Sequence, residues 1–503
     1  MAGSLWLSPF VWANNIAVSN VTITSQSTAN QTANVQFDIT WSNSWRNVIN
    51  YDAAWVFVKY STDGGTTWNH ATLKATGGTA TSAGNGIINP TGYSGGSGTA
   101  LDIIVPTEAT SGKKGAFVQR TANGTGTVTT TGVQVVWDWN ADGLTAATTA
   151  KVKVFAIEMV YIPQGAFYVG SGGTETNSFT DGSWNNGNTI PFRVTSEAAL
   201  TINAGEGNLW SNGGSAGIGG SGPLAAAFPK GFAPFYLMKY KISEGQWVDF
   251  FNTLTATQKA TRDITAASGK NSDGVVNRNT ISWESGNART TRPDRACGYL
   301  SWMDLAAYTD WAGLRPMTEL EFEKACRGTI SPVAEEYAWG STSIKPPSAS
   351  GISGSETGGE TITTSGANAL YNNISFTGVT ESGTGPLRVG IFATSSTMTR
   401  AAAGAGYYGN ADLSGNVWER VVTVGNSEGR GFNGTHGDGG LTPEGNANES
   451  WPGLSDAMGI GLKGGGWSTT DVARLAVSDR DQAATADTAR GADYGGRSAR
   501  TAP

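Results

Sequence analysis

Residues 295–328 read RACGYLSWMDLAAYTDWAGLRPMTELEFEKACRG, and this stretch narrows the fold more than any other. Ser301 with Asp304, and Thr318 with Glu321, form two capping boxes. In each, a hydroxyl takes an orphan backbone N–H and a carboxylate three residues on reaches back to the cap. Trp302, Leu305, Ala306 and Thr309 then share one helical face, and Gly313 supplies the stop. Phe322, Ala325 and Cys326 share a face of the second helix before Gly328. The pattern predicts strand, helix, turn, helix, with the two short helices packed as one unit. Ser243 and Gln246 cap a further helix whose Trp247, Phe250, Phe251 and Leu254 form a core stripe.

Upstream the period changes to two. Val35, Phe37, Ile39 and Trp41 alternate with Gln36, Asp38 and Thr40. Ala54–Tyr60 is a stronger strand and runs into Asp63-Gly64-Gly65, a hairpin signal. Leu101–Val105, Gly115–Arg120 and Val133–Trp139 are further strands, and Ala75–Thr99 reads as a long loop. Residues 1–156 are therefore expected to form an all-β, sandwich-like domain. Met1–Ala13 reads either as a first strand or as the remnant of a signal peptide. Asp138–Gly143 begins like a calcium loop, but Thr149 stands where the closing acid belongs, which favours a polar turn. Lys151–Ile162 runs straight on, so a rigid join to the second unit, 157–503, is expected.

Glycine is abundant, 70 of 503 residues, yet 18 tryptophans mark a folded chain. Charged residues are only 15 % and the net charge is −7, with no basic stripe, which argues against nucleic acid as a partner. No run is long enough to span a membrane. Two cysteines allow at most one disulfide, and the sequence leaves the state of Cys297 and Cys326 open. Ser171–Ala227, Thr255–Arg292 and Ser341–Ser382 read as polar loops or insertions.

The 295–328 stretch resembles the formylglycine-generating enzyme, or sulfatase-modifying factor, family. MVYIPQGAFYVG at 159–170, FYLMKYKISEGQWVDFFNTL at 235–254, EYAWG at 336–340, DLSGNVWE at 412–419 and KGGGWS at 463–468 resemble its other landmarks in order. The resemblance implies an α+β, C-type-lectin-like fold for 157–503. It also implies chemistry, which the residues only partly supply. The family's enzymes oxidise a sulfatase cysteine with copper held by two thiolates, and soft thiolates suit Cu(I). The matching segment, Ser468–Arg480, contains no cysteine; Thr469 and Arg474 occupy the approximate ligand positions. Cys326 matches a structural cysteine of the family whose partner near Arg480 is also gone. No copper is expected. An iron-dependent branch uses a histidine triad, whereas this chain holds two histidines, His70 and His436, the latter read as a solvated loop residue.

The resemblance also implies structural calcium, with side-chain oxygens from Asp412 and Glu419 and the carbonyls of Gly415 and Val417 as ligands. A possible ligand or contact face would comprise Trp467, Ser468, Thr469, Arg474, Arg480 and Arg497. The resulting expectation is an exported, extracellular or cell-surface protein, non-catalytic and self-assembling into a filament, sheath or layer, with copies of itself as partners. The alternatives are a lectin-like adhesin that binds a surface ligand or glycan, and an oxidase of the formylglycine-generating type with an altered site.

Overall fold

The structure, a computed structural model, describes residues 15–108, 112–183, 187–394 and 398–503. The segment Met1–Ala13 lies outside them. The fold is predominantly β with a few short helices.

Two sheets build the first part. One runs in the order Ala17–Ser27, Thr32–Arg46, Gly124–Trp137, Ser97–Gly98. The other is larger, and from one edge to the other it runs Arg315–Pro316, Ser498–Thr501, Phe235–Met238, Lys151–Ile162, Asp52–Ser61, Ala116–Arg120, Leu101–Pro106, Gly86–Ile88, Thr79–Ala80. The alternation in the sequence sets which side chains meet. Val35, Phe37, Ile39 and Trp41 join Ala54, Val56, Val58 and Tyr60 in one core. The opposite face of the same strand, Ala53, Trp55 and Phe57, enters a different and larger core with Trp302, Trp311 and Tyr236. Asp52–Ser61 is buried on both faces, which explains its unbroken apolar run. Asp63 organises the hairpin that follows: its Oδ1 accepts the N–H groups of Thr66 and Thr67, both at 3.0 Å.

Lys151–Ile162 belongs to both halves of the chain. It pairs with Asp52–Ser61 from Lys151 to Val160 on one side, and with Phe235–Met238 from Met159 to Ile162 on the other. The boundary expected at 156 falls inside this strand, and the large sheet continues across it without a linker. Trp55 Nε1 donates to the carbonyl of Ala312 at 2.8 Å, and Lys59 Nζ to that of Gly439 at 2.8 Å, so side chains of the first half also bond to the second.

All three capping boxes form, at Ser243, Ser301 and Thr318. A fourth, Thr255 with Gln258, starts a helix at Ala256–Arg262 inside a stretch that reads as polar loop. The two helices of the 295–328 region share the larger core through Leu320 of the second, a helix that also serves another core. Trp302–Trp311 is buried on nearly all sides in the larger core. Glu319–Arg327 puts Phe322, Ala325 and Cys326 into a separate core. Between them Arg315–Pro316 pairs with Ser498–Thr501 at the sheet edge, so the strand lies between the helices and not before them.

Three polar stretches are more ordered than their composition suggests. Ala75–Thr99 contributes short strands to both sheets. Within Ser341–Ser382, Ile352–Ser353 pairs with Thr361–Ile362. Ser171–Ala227 is not a surface loop: Phe179, Phe192, Val194, Ile202, Leu209, Trp210, Ile218 and Leu224 all enter the larger core. Its apolar residues are too sparse to show a period, yet these eight are buried while Ile190 stays exposed.

A candidate cation site and the face beside it

The DLSGNVWE segment is a tight turn followed by a strand. Asp412, Gly415 and Asn416 all have left-handed backbones, with φ of 58°, 91° and 72°. At 415 only glycine fits, since a Cβ would lie 2.6 Å from the carbonyl oxygen of Leu370. Side chains hold the turn: Asp412 Oδ2 accepts the N–H of Gly390 at 2.7 Å and Asn416 Oδ1 that of Leu387 at 3.0 Å. The strand Trp418–Val422 then pairs with Ile460–Lys463.

This turn aims two carbonyls at one point, and that point is the ammonium of Lys241. Lys241 Nζ donates to Gly415 O at 2.8 Å and also to Val417 O, and lies 3.5 Å from Glu419 Oε1. Glu419 Oε1 is shared with Arg497, whose Nε and Nη2 approach it at 2.8 and 2.7 Å. Arg497 also donates to Ala411 O at 2.7 Å and Met238 O at 3.1 Å. Lys241, Glu419 and Arg497 are fully buried, and Asp412 nearly so. Burial pulls the Lys241 ammonium down to about 8, against the opposing pull of Glu419 and Asp412. Burial likewise raises the Asp412 carboxyl. Glu419 Oε2 has no hydrogen-bond partner among the described residues. Lys241 escapes a sequence reading because it sits beside the Ser243 cap, far from 412–419 in the chain.

The closing segment is mostly interior. Trp467 and Thr469 are 5 % and 8 % exposed, and Thr469 Oγ1 accepts the N–H of Gly466 at 2.9 Å. Ser468 is exposed and donates to Asp493 Oδ2 at 2.5 Å. Arg474 is half-buried and pairs with Asp481 at 2.7 Å. Arg480 and Arg497 do not belong to an outward face. Arg480 is 2 % exposed, bonded to Glu319 and stacked over the ring of Phe179, 4.0 Å from its centroid. Of the six residues read as a contact face, Ser468 and Arg474 are the two that reach solvent.

Cys297 and Cys326 are both free and fully buried in different cores, and burial raises both thiols. Neither therefore supplies a ready thiolate. His436 is not a solvated loop residue; it is 7 % exposed, and its Nε2 accepts the N–H of Thr501 at 3.0 Å. Burial, with Arg500 and Arg315 nearby, holds it well below the usual histidine range. The Asp138–Gly143 turn spends its acids internally: Asp138 pairs with Lys74 at 3.1 Å, and Asp142 Oδ2 accepts from Trp137 Nε1 at 2.6 Å. A group not visible in the sequence is Asp310, Asp438 and Glu449, whose ligand atoms lie within 4.8 Å of one another.

The family described as sulfatase-modifying factor enzyme 1-like domain matches residues 145–502, most of the chain. This protein belongs to that family. The sulfatase-modifying factor match begins just before the shared Lys151–Ile162 strand and takes in every landmark motif. A formylglycine-generating enzyme of Streptomyces coelicolor is 45 % identical over 51 residues, which is 10 % of this chain and 16 % of that protein. One of Thermomonospora curvata is 42 % identical over 55 residues, 11 % of this chain and 18 % of that protein. The aligned stretches span less than a fifth of either relative.

Proposed function

We propose that this chain keeps the sulfatase-modifying factor scaffold as a non-catalytic surface protein that assembles with copies of itself. One observation carries the first half. By the family resemblance the approximate thiolate positions fall to Thr469, whose hydroxyl is bound inward to the Gly466 N–H, and Arg474, paired with Asp481. These groups do not fit Cu(I), which takes soft thiolates.

The assembly half is supported by the outer strand of the smaller sheet. Ala17–Ser27, AVSNVTITSQS, pairs on one side only among the described residues and is mostly exposed. It carries no charge and no proline, two of the usual guards against edge-to-edge pairing, although two register shifts interrupt it. An exported, surface location suits the sparse charge and the Gly-, Thr- and Asn-rich composition.

The test uses the full chain. Sedimentation and electron microscopy are expected to show oligomers or polymers, and Thr22→Lys with Thr24→Lys to dissolve them without unfolding the protein. A monomer at high concentration overturns the assembly reading. Stoichiometric Cu(I) binding, or conversion of a peptidyl cysteine to formylglycine seen by mass spectrometry, overturns the non-catalytic one.

A further inference from the structure

We infer that the ammonium of Lys241 replaces a divalent cation in the 412–419 turn, so that this protein holds its turn together with an internal, covalently tethered charge and needs no metal there. The four groups expected to ligate calcium are Asp412, Gly415 O, Val417 O and Glu419. Lys241 Nζ donates to both carbonyls and pairs with Glu419. Two carbonyl oxygens and a carboxylate converging on a point in the interior need a cation, and the chain supplies one from its own side chain.

Charge balance closes the site to a further ion. Glu419 pairs with two cations, Lys241 and Arg497, and the buried Asp412 carboxyl feels the charge of both, in a region removed from water. A divalent ion added to this set would leave two positive charges uncompensated, and an uncompensated buried charge is strongly unfavourable. It would also meet the ammonium at the carbonyls it needs, because calcium binds oxygen at about 2.3–2.6 Å and cannot share those lone-pair directions with a lysine at hydrogen-bond distance. Arg497 cannot yield either, since it is held by Ala411 O and Met238 O as well as by Glu419.

Removing the ammonium should open the site. Lys241→Ala leaves the carbonyls of Gly415 and Val417 and the Oε1 of Glu419 around a space with one positive charge fewer. The experiment compares wild type, Lys241→Ala and Lys241→Met by thermal unfolding in EDTA and in millimolar CaCl2, with terbium luminescence sensitised by tryptophan as a direct readout. Wild type is expected to melt at the same temperature in both buffers and to give no saturable terbium signal. Lys241→Ala is expected to melt lower in EDTA and to recover at least about 3 °C in calcium, with terbium binding at one site. Lys241→Met, which fills the space with an apolar chain, is expected to melt lower and to ignore calcium. A wild-type melting temperature that falls in EDTA, or one tight calcium per wild-type chain, overturns the inference, and this arm decides even if neither variant folds. A folded Lys241→Ala protein indifferent to both ions overturns it too.

Discussion

The guanidinium of Arg480 takes both carboxylate oxygens of Glu319, Nε to Oε2 at 2.7 Å and Nη2 to Oε1 at 3.1 Å. Glu319 is the first residue of its helix and also accepts the Thr423 hydroxyl and the Val424 N–H, each at 2.7 Å. Arg480 donates onward to Asn177 O at 3.0 Å and Gly217 O at 2.7 Å. One pair therefore joins the helix start, the closing segment and the 171–227 region. Arg480→Ala leaves a buried carboxylate unpaired and is expected to cost about 3–5 kcal/mol in urea unfolding. Arg480→Met combined with Glu319→Leu is expected to recover only part of that loss, because it removes the unpaired charge but still deprives Thr423, Val424, Asn177 and Gly217 of their partners.

The 171–227 region offers a second measurement. Trp210 is 2 % exposed within the larger core, so Trp210→Ala is expected to destabilise the whole protein by about 3–5 kcal/mol. A change under about 0.5 kcal/mol would restore the reading of this stretch as a surface loop.

The caps make a graded series. Ser301 Oγ accepts the N–H of Asp304 at 3.2 Å and Thr318 Oγ1 that of Glu321 at 3.2 Å. Each change to alanine is expected to cost about 1 kcal/mol, and Ser301→Gly only a few tenths.

Acidity should act through Asp294. Burial raises its carboxyl from 3.8 to about 6; Glu360 adds to this, while Arg388 and Arg295 oppose it. Its Oδ2 is buried and without a hydrogen-bond partner among the described residues. A carboxyl whose folded value is raised binds its proton more tightly in the folded state. Its contribution is therefore complete below about pH 4 and is lost as pH rises through about 6, a change of roughly 3 kcal/mol at most. Asp294→Asn is expected to flatten the stability profile between pH 4 and 6 and to be the more stable protein at pH 7, as chemical unfolding across that range would show.

What the sequence disclosed was local. Three capping boxes and the alternation from Val35 to Trp41 appear as read, because each depends on residues a few positions apart. The family motifs likewise located the 412–419 turn. What stayed hidden depends on distant partners. The Lys241 ammonium meets carbonyls more than 170 residues away in the chain, at separations of 174 and 176. His436 is buried because Thr501 and Glu108 close over it, although its own neighbours are Thr435 and Gly437 in a Gly-rich stretch. Arg480 and Arg497 look like surface charges until their acids, Glu319 and Glu419, are placed beside them.

The shared strand Lys151–Ile162 has a mechanical consequence. A pull on the N-terminal half that runs along the strand would not open a hinge. It would load the antiparallel ladder in shear, across the ten pairings that join Lys151–Val160 to Ser61–Asp52, and pass at Met159–Ile162 into Phe235–Met238. Shear must break a ladder's hydrogen bonds together, whereas peeling breaks them in turn. A chain built this way carries tension across the join of its two halves as a single stiff element.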